Sequence, residues 1–363
     1  MPVKYEINVP ATSANIGPGY DVLGLSLSLY LTVNVHIDND APTDGDAANY
    51  NITILYEGEN SDGLSLDPRK NLITDTAIYV LACNGFKQFP HPTTLRVNNN
   101  IPLGRGLGSS GAAVVAGVVL ADIVGSLGMS QQRMLEYCLM IEHHPDNVAA
   151  ALLGGFVANY VVDRDSSQAI RPTERLSDTE RMQRGREEKA AAANSAIAIP
   201  PENTCQSVRL GCSPKIKAVA IIPQFELATS KARAVLPEKY APNDVVFNLQ
   251  RLAILTTALG SDTLNPWLIY GAMADKVHQP YRMHLIPGLP EILTTFNPDN
   301  TPGLLGICLS GAGPTILALA VSNFEEIAAK IQSVFARQPN GGVATEYKLL
   351  EIVGDGATCV QKS

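Results

Sequence analysis

The chain has 363 residues, 45% hydrophobic and 17% charged, with a formal net charge of −8 at pH 7. This is the composition of a well-cored protein of two or three domains, and the acidic balance argues against a nucleic-acid footprint. No stretch approaches the roughly 18 apolar residues of a membrane span, and the opening MPVKYEINVP lacks the apolar core of a signal peptide, so a cytoplasmic address without membrane contact is expected.

Residues 4–9 alternate apolar and polar side chains and predict a strand closed by Pro10. The loop ATSANIGPGYDVLG follows, then a second alternation over residues 25–37, a polar turn or insertion over 38–49, and a further strand over 52–56. Asn71 suits the N-cap of a helix carrying Leu72, Ile73, Ala77, Ile78 and Leu81, ending near Gly85, and residues 93–97 predict a strand. The helix predicted from Ser109 to about Val124 is apolar on every side, the pattern of a buried helix. Ser130 caps a second helix through Glu142, which runs into the loop His143, His144, Pro145, Asp146, Asn147 and then a strand over 156–162.

Composition shifts over residues 163–213, which are charged and small. An exposed helix or partly disordered insertion is expected there, with a domain boundary. Beyond it come a strand over 216–222, helices over 229–235 and 245–259, strands over 304–309 and 316–320 separated by SGAGPT, a helix over 324–335 and a strand over 345–353. The alternation lacks the even period of a barrel, so the predicted class is α+β in two lobes. Six scattered cysteines without metal-type spacing predict reduced thiols. The adjacent His143 and His144 lack a third ligand at zinc spacing.

The most informative stretch is IPLGRGLGSSGAAVVAG, residues 101–117, a glycine-rich loop feeding the buried helix. The first N–H groups of a helix have no intrahelical partner, and its dipole is positive there, so an anion is the natural occupant. No lysine follows the glycines as a Walker loop requires, and neither Ser109 nor Ser110 is centred in Gly-x-Ser-x-Gly. Gly106, Gly108 and Gly111 fit Gly-x-Gly-x-x-Gly, but the spacer NNNIPLGR is too long for a dinucleotide-binding turn.

Pro102 with Gly106, Leu107, Gly108, Ser109 and Ser110 resembles the second motif of the GHMP kinases, with Gly111 where alanine is commoner. A glycine at that position predicts a mild effect, since Gly in a helix costs on the order of 1 kcal/mol. ATSANIGPGYDVLG resembles the first motif, in a form similar to the homoserine kinases, and LSGAGPTILAL the third. The resemblance implies a two-lobed GHMP fold. Residues 1–205 would form an ATP-binding lobe like domain 2 of ribosomal protein S5, and residues 206–363 a ferredoxin-like lobe. It implies ATP along Pro102, Gly104, Gly106, Leu107, Gly108, Ser109, Ser110 and Gly111, and Mg²⁺ at Ser110 and Glu136. Ser310, Gly311 and Gly313 would form a second glycine loop backing the first.

By the same resemblance, homoserine lies between the lobes against Asn15, Asp21, His144, Asn147, Arg233 and Arg282. Asp21 would meet its ammonium, and a forked guanidinium its carboxylate. Glu136 lies eight residues before His144, where the family places its magnesium carboxylate, with Glu142 as a rival. Asn147, Glu136 and Arg233 are the expected catalytic residues. An amide at 147 cannot act as a general base, so direct transfer without a dedicated base is expected. Another small-molecule GHMP kinase and an inactive GHMP-fold sensor are the alternatives, and the family likeness implies a homodimer.

Overall fold

The computed structural model describes residues 2–40, 49–58, 63–162, 198–339 and 341–362. It opens with two long antiparallel strands, β1 (Val3–Ala14) and β2 (Leu23–Ile37), in which Ile7, Val9, Val33 and Val35 alternate into the core. Pro10 does not end β1. The pairing register shifts between Pro10 and Ala11, which accommodates a residue with no N–H to donate, and the strand continues into the first motif.

Next come β3 (Ile52–Glu57), α1 (Leu72–Cys83), whose Asn71 cap accepts from the Ile73 N–H, and β4 (Thr93–Asn99). The buried helix α2 (Ser109–Gly125) is followed by α3 (Gln131–Glu142), where the Ser130 hydroxyl accepts from the Arg133 N–H. Residues 143–147 are not all loop as predicted, because α4 (Pro145–Leu153) begins inside them. His143 has φ +63° and reverses the chain, and Pro145 takes the first helical position, where a missing N–H costs nothing. Asn147 therefore stands on the first turn of a helix.

After β5 (Phe156–Val161), residues 163–197 of the expected insertion lie outside the described residues. Its end does not match the expectation, since β6 (Cys205–Leu210) is a strand paired with β5. Only Cys205 of β6 is buried, so the segment carries little core signature. The chain continues through β7 (Lys217–Pro223), α5 (Thr229–Ala234), α6 (Pro242–Ala258), α7 (Pro266–Ala272), α8 (Gln279–Arg282) and α9 (Leu289–Thr295). It ends with β8 (Leu304–Leu309), β9 (Ile316–Ala320), α10 (Phe324–Ala336), β10 (Thr345–Glu351) and β11 (Thr358–Lys362).

The first sheet has the order β11-β1-β2-β4-β3, with β5 joined to β2 and β6 to β5, and only β3 and β4 run parallel. The second sheet is antiparallel in the order β10-β7-β9-β8. With helices between β7 and β8 and α10 between β9 and β10, it is the βαββαβ unit of ferredoxin-like folds. One apolar core joins the first sheet and α1–α4 to Ala218, Ala220, Leu317 and Leu319 of the second. A second core packs Val219, Ile221 and Ala318 against Ile327, Ile331 and Phe335 of α10. The two sheets thus share packed residues, which fixes the ground between them. Among the described residues no helix is long and apolar enough to cross a membrane. All six cysteines are free, with Cys138, Cys205 and Cys308 buried.

Candidate active site

The glycine loop is shaped by contacts that leave no room for side chains. Gly104, Gly106 and Gly108 have φ of +64°, +78° and +71°. A Cβ at Gly106 would overlap the Ser310 carbonyl, and one at Gly108 the Thr12 hydroxyl. Pro102 and Leu107 are buried and shape the loop from behind. Gly108 caps α2 without a side-chain hydrogen bond, so the first N–H groups of the helix are offered to the space in front.

The three glycine motifs are bonded to one another. The Ser310 hydroxyl donates to the Gly106 carbonyl at 2.6 Å and accepts from the Ser13 hydroxyl at 2.7 Å. Gly311 N–H donates to the Ala14 carbonyl at 2.9 Å, and Thr12 N–H to the Leu107 carbonyl at 3.1 Å. They enclose a cleft of about 280 Å³, lined by Asn15, Gly104, Gly106, Gly108 to Gly111, His144, Asn147, Arg233, Arg282, Gly311 and Gly313, as well as by Arg105, Glu142, Asp146 and Thr229. Gly111 has a reason beyond helix propensity. A Cβ there would come within 3.2 Å of Asn147 Cβ, so glycine lets α4 close against the start of α2.

Glu136 is not brought to this cleft. It is buried, ion-paired to Arg133 at 2.7 Å, and accepts from the Asn203 N–H, anchoring the segment that leads into β6. Glu142 takes the position instead, where the Ser110 hydroxyl donates to it. The reason is helical geometry. Six residues separate the two along α3, about 9 Å and about 120° round the axis, and the last turn of α3 lies beside the first turn of α2. Among the described residues no cluster of three or more His, Cys, Asp or Glu side chains could hold a metal alone. One carboxylate with one hydroxyl beside a phosphate loop does suit Mg²⁺, which takes few protein ligands and several phosphate and water oxygens.

His144 and Asp146 form a buried pair, with Nδ1 2.8 Å from Asp146 Oδ1. Burial opposes charge on the imidazole, but the carboxylates of Asp146 and Glu142 outweigh it and raise its pKa. Burial likewise opposes charge on Asp146, and His144, Arg233 and the Asn147 N–H more than offset it, lowering the pKa. The Asn147 amide oxygen accepts from the Thr12 hydroxyl at 2.7 Å, which leaves its NH₂ as the group to offer a substrate.

Asp21 and Arg233 pair with each other. Arg233 donates to both carboxylate oxygens at 2.7 and 3.0 Å and to the Tyr20 hydroxyl at 2.8 Å. Asp21 has φ +54° and its N–H donates to the Asn15 side chain at 2.9 Å, which fixes its backbone, while its carboxylate turns to Arg233 and is not among the groups that line the cleft. Arg282 differs. It is 1% exposed, and donates to the carbonyls of Ala232 at 3.0 Å and Gly311 at 3.1 Å and to His278 Nδ1 at 3.3 Å. Among the described residues no carboxylate lies within ion-pairing distance of it. It is a buried cation held by neutral groups at the edge of the cleft, and such a charge seeks an anion.

Residues 71–155 match the family described as GHMP kinases N terminal domain. The chain is 51% identical to the homoserine kinase of Saccharomyces cerevisiae over 99% of both proteins. It is 49% identical to that of Schizosaccharomyces pombe over 98% of both. The chain belongs to the homoserine kinase family. Membership makes it a kinase and implies ATP use. The crystal structure of homoserine kinase from Cytophaga hutchinsonii superposes with a TM-score of 0.72 at 23% identity, covering 98% of this chain and 97% of that one. Phosphomevalonate kinase from Streptococcus pneumoniae gives 0.56 at 14% identity over 96% and 99%. These two likenesses establish the GHMP kinase fold, of α+β class, for the kinase.

Thr12, Asp146 and His278 are bonded to residues in or beside this kinase's cleft, and the motif match does not single them out. Asp146 is legible only once α4 is known to start at Pro145. Thr12 and His278 act across 135 and 261 residues of sequence on Asn147 and Gly17, and local spacing carries no sign of either.

Proposed function

We propose that this kinase transfers the γ-phosphoryl group of ATP to the side-chain hydroxyl of L-homoserine, giving ADP and O-phospho-L-homoserine on the route to threonine, in the cytoplasm. The observation that carries this is one cleft lined by two kinds of anion site. The glycine loop and the uncapped start of α2 suit a triphosphate, and Arg282 suits a carboxylate. Asp21, bonded to the cleft residue Arg233, supplies a carboxylate that suits an ammonium, and a sugar or an isoprenoid acid has none. Ser110 and Glu142 are in place in the cleft, which speaks against an inactive sensor. Those two would hold Mg²⁺, whose charge would offset that of the phosphates.

Transfer proceeds without a dedicated base. Asn147 presents a donor, Asp146 is bonded to His144 and to the Asn147 N–H, and the carboxylates of Asp146 and Glu142 raise the His144 pKa, which favours its charged form. The chain's residues hold the hydroxyl in line and neutralise charge, and the hydroxyl proton passes to a γ-phosphate oxygen. The sign of any pH effect follows. With a raised pKa, His144 carries its charge at low pH and loses it as pH rises through that pKa. We expect no rising limb in kcat between about pH 6 and 7, and an alkaline fall that disappears in His144→Gln. A rising limb abolished by His144→Ala or Asn147→Ala would contradict base-free transfer. Offered homoserine, mevalonate, galactose or shikimate with ATP and Mg²⁺, the enzyme should release ADP only with homoserine.

The division into an N-terminal ATP-binding lobe and a C-terminal ferredoxin-like lobe remains our proposal, with β11 returning to the first sheet. We also propose a homodimer. Val245, Val246 and Leu249 of α6 and Trp267 and Leu268 of α7 are exposed, and apolar side chains of this kind suit a self-complementary contact across a twofold axis. Leu249→Arg should convert a dimer to a monomer in light scattering, and a monomeric parent would refute the dimer.

A further inference from the structure

His278 is fully buried and far in sequence from the three glycine motifs. Its Nε2 lies 2.9 Å from the Gly17 carbonyl oxygen and 3.4 Å from Asp275 Oδ2, so it faces acceptors only and must carry the ring proton. Its Nδ1 then has a lone pair, which accepts from the Arg282 guanidinium at 3.3 Å. The ring is neutral and uses both nitrogens. Burial holds its pKa below the ordinary range against the pull of Asp275, consistent with that geometry.

The ring is fixed from three directions. Asp275 accepts from the N–H groups of Val277, His278 and Gln279, which sets the turn that starts α8, and Asn248 of α6 donates to Asp275 at 2.8 Å. Tyr20 of the first motif stacks on the imidazole at 5.5 Å and lies 5.2 Å from the Arg282 guanidinium carbon. A carboxylate in place of His278 would hold Arg282 equally well but would neutralise it. An imidazole holds the guanidinium and leaves its charge for a ligand.

We infer that His278 is a positioning residue whose Nδ1 acceptor holds Arg282 without an ion pair, leaving that arginine's charge for the carboxylate of the amino-acid substrate. The inference rests on the homoserine reading and names one of its specificity determinants. Arg282 lines the cleft and His278 lies behind it, outside the lining, so the effect of His278 passes through Arg282.

Three substitutions separate this role from a merely structural one. Asn places an oxygen near the Nδ1 position and keeps the acceptor for Arg282. Gln places an N–H near the Nε2 position and keeps only the bond to Gly17. Leu keeps neither. The expected result is a KM for homoserine raised roughly 10- to 100-fold in His278→Gln and His278→Leu, as for loss of a hydrogen bond to a charged group. KM for ATP should stay within about threefold of the parent, and His278→Asn should recover most of the homoserine KM. Thermal midpoints of the Asn and Gln variants should be lowered alike, since each loses one buried bond. Equal rises in both KM values, or Asn and Gln variants with the same homoserine KM, would overturn the inference. A parent enzyme that does not turn over homoserine would instead overturn the reading beneath it.

Discussion

Replacing Arg282 by glutamine is expected to raise KM for L-homoserine about 100-fold or more, with KM for ATP changed by less than about threefold. Arg282 is the buried cation whose partners are all neutral, so its charge is available to a substrate carboxylate. Arg282→Lys should fall between the two, keeping charge but losing the fork that grips Ala232, Gly311 and the ligand together. Because those carbonyls would lose their donor, some loss of stability accompanies either change, and a thermal melt run beside the kinetics separates it from the binding defect. Arg233→Gln should behave differently. It leaves Asp21 unpaired beside Tyr20, and the expected signature is a fall in both stability and homoserine affinity, partly restored by Asp21→Asn in the same chain.

The two glutamates of α3 should separate cleanly. Glu142→Gln is expected to lower kcat about 100-fold with little change in thermal midpoint, and to raise the Mg²⁺ concentration needed for half-maximal rate. Glu136→Gln should do the reverse, lowering the midpoint by several degrees and leaving kcat within about threefold, because it breaks a buried ion pair with Arg133 outside the cleft lining. Steady-state rates across a Mg²⁺ titration, with melts of both variants, check the pair. The opposite pattern would return the metal to Glu136.

The glycine loop was the most legible part of the site because its chemistry is local. Positive φ, close backbone approach and an open helix start all leave marks within ten residues, and Gly106 and Gly108 meet backbone and hydroxyl atoms as their composition suggests. Long elements were legible too. The alternation of β2 and the uniformly apolar α2 appear within two residues of their predicted bounds.

Illegible features depended on tertiary placement. Glu136 and Glu142 are both on α3 near His144, and only the packing of α3 beside the start of α2 decides between them. The short helices α7, α8 and α9 each carry proline in their first turn, so the same residues that mark a break in the pattern in fact open a helix. Strand β6 is exposed at half of its positions, and β11 along all of it. The pairing of Asp21 with Arg233 also could not be read from sequence, since both were matched to a ligand and their mutual bond joins residues 212 apart.

The most direct test of the central claim is the identity of the product. Phosphorus NMR of the purified enzyme with ATP, Mg²⁺ and L-homoserine should show ADP and a new phosphomonoester, coupled to the protons of the side-chain methylene, growing together in equal amounts. ADP appearing with inorganic phosphate alone, or no consumption of ATP in the presence of homoserine, would contradict it.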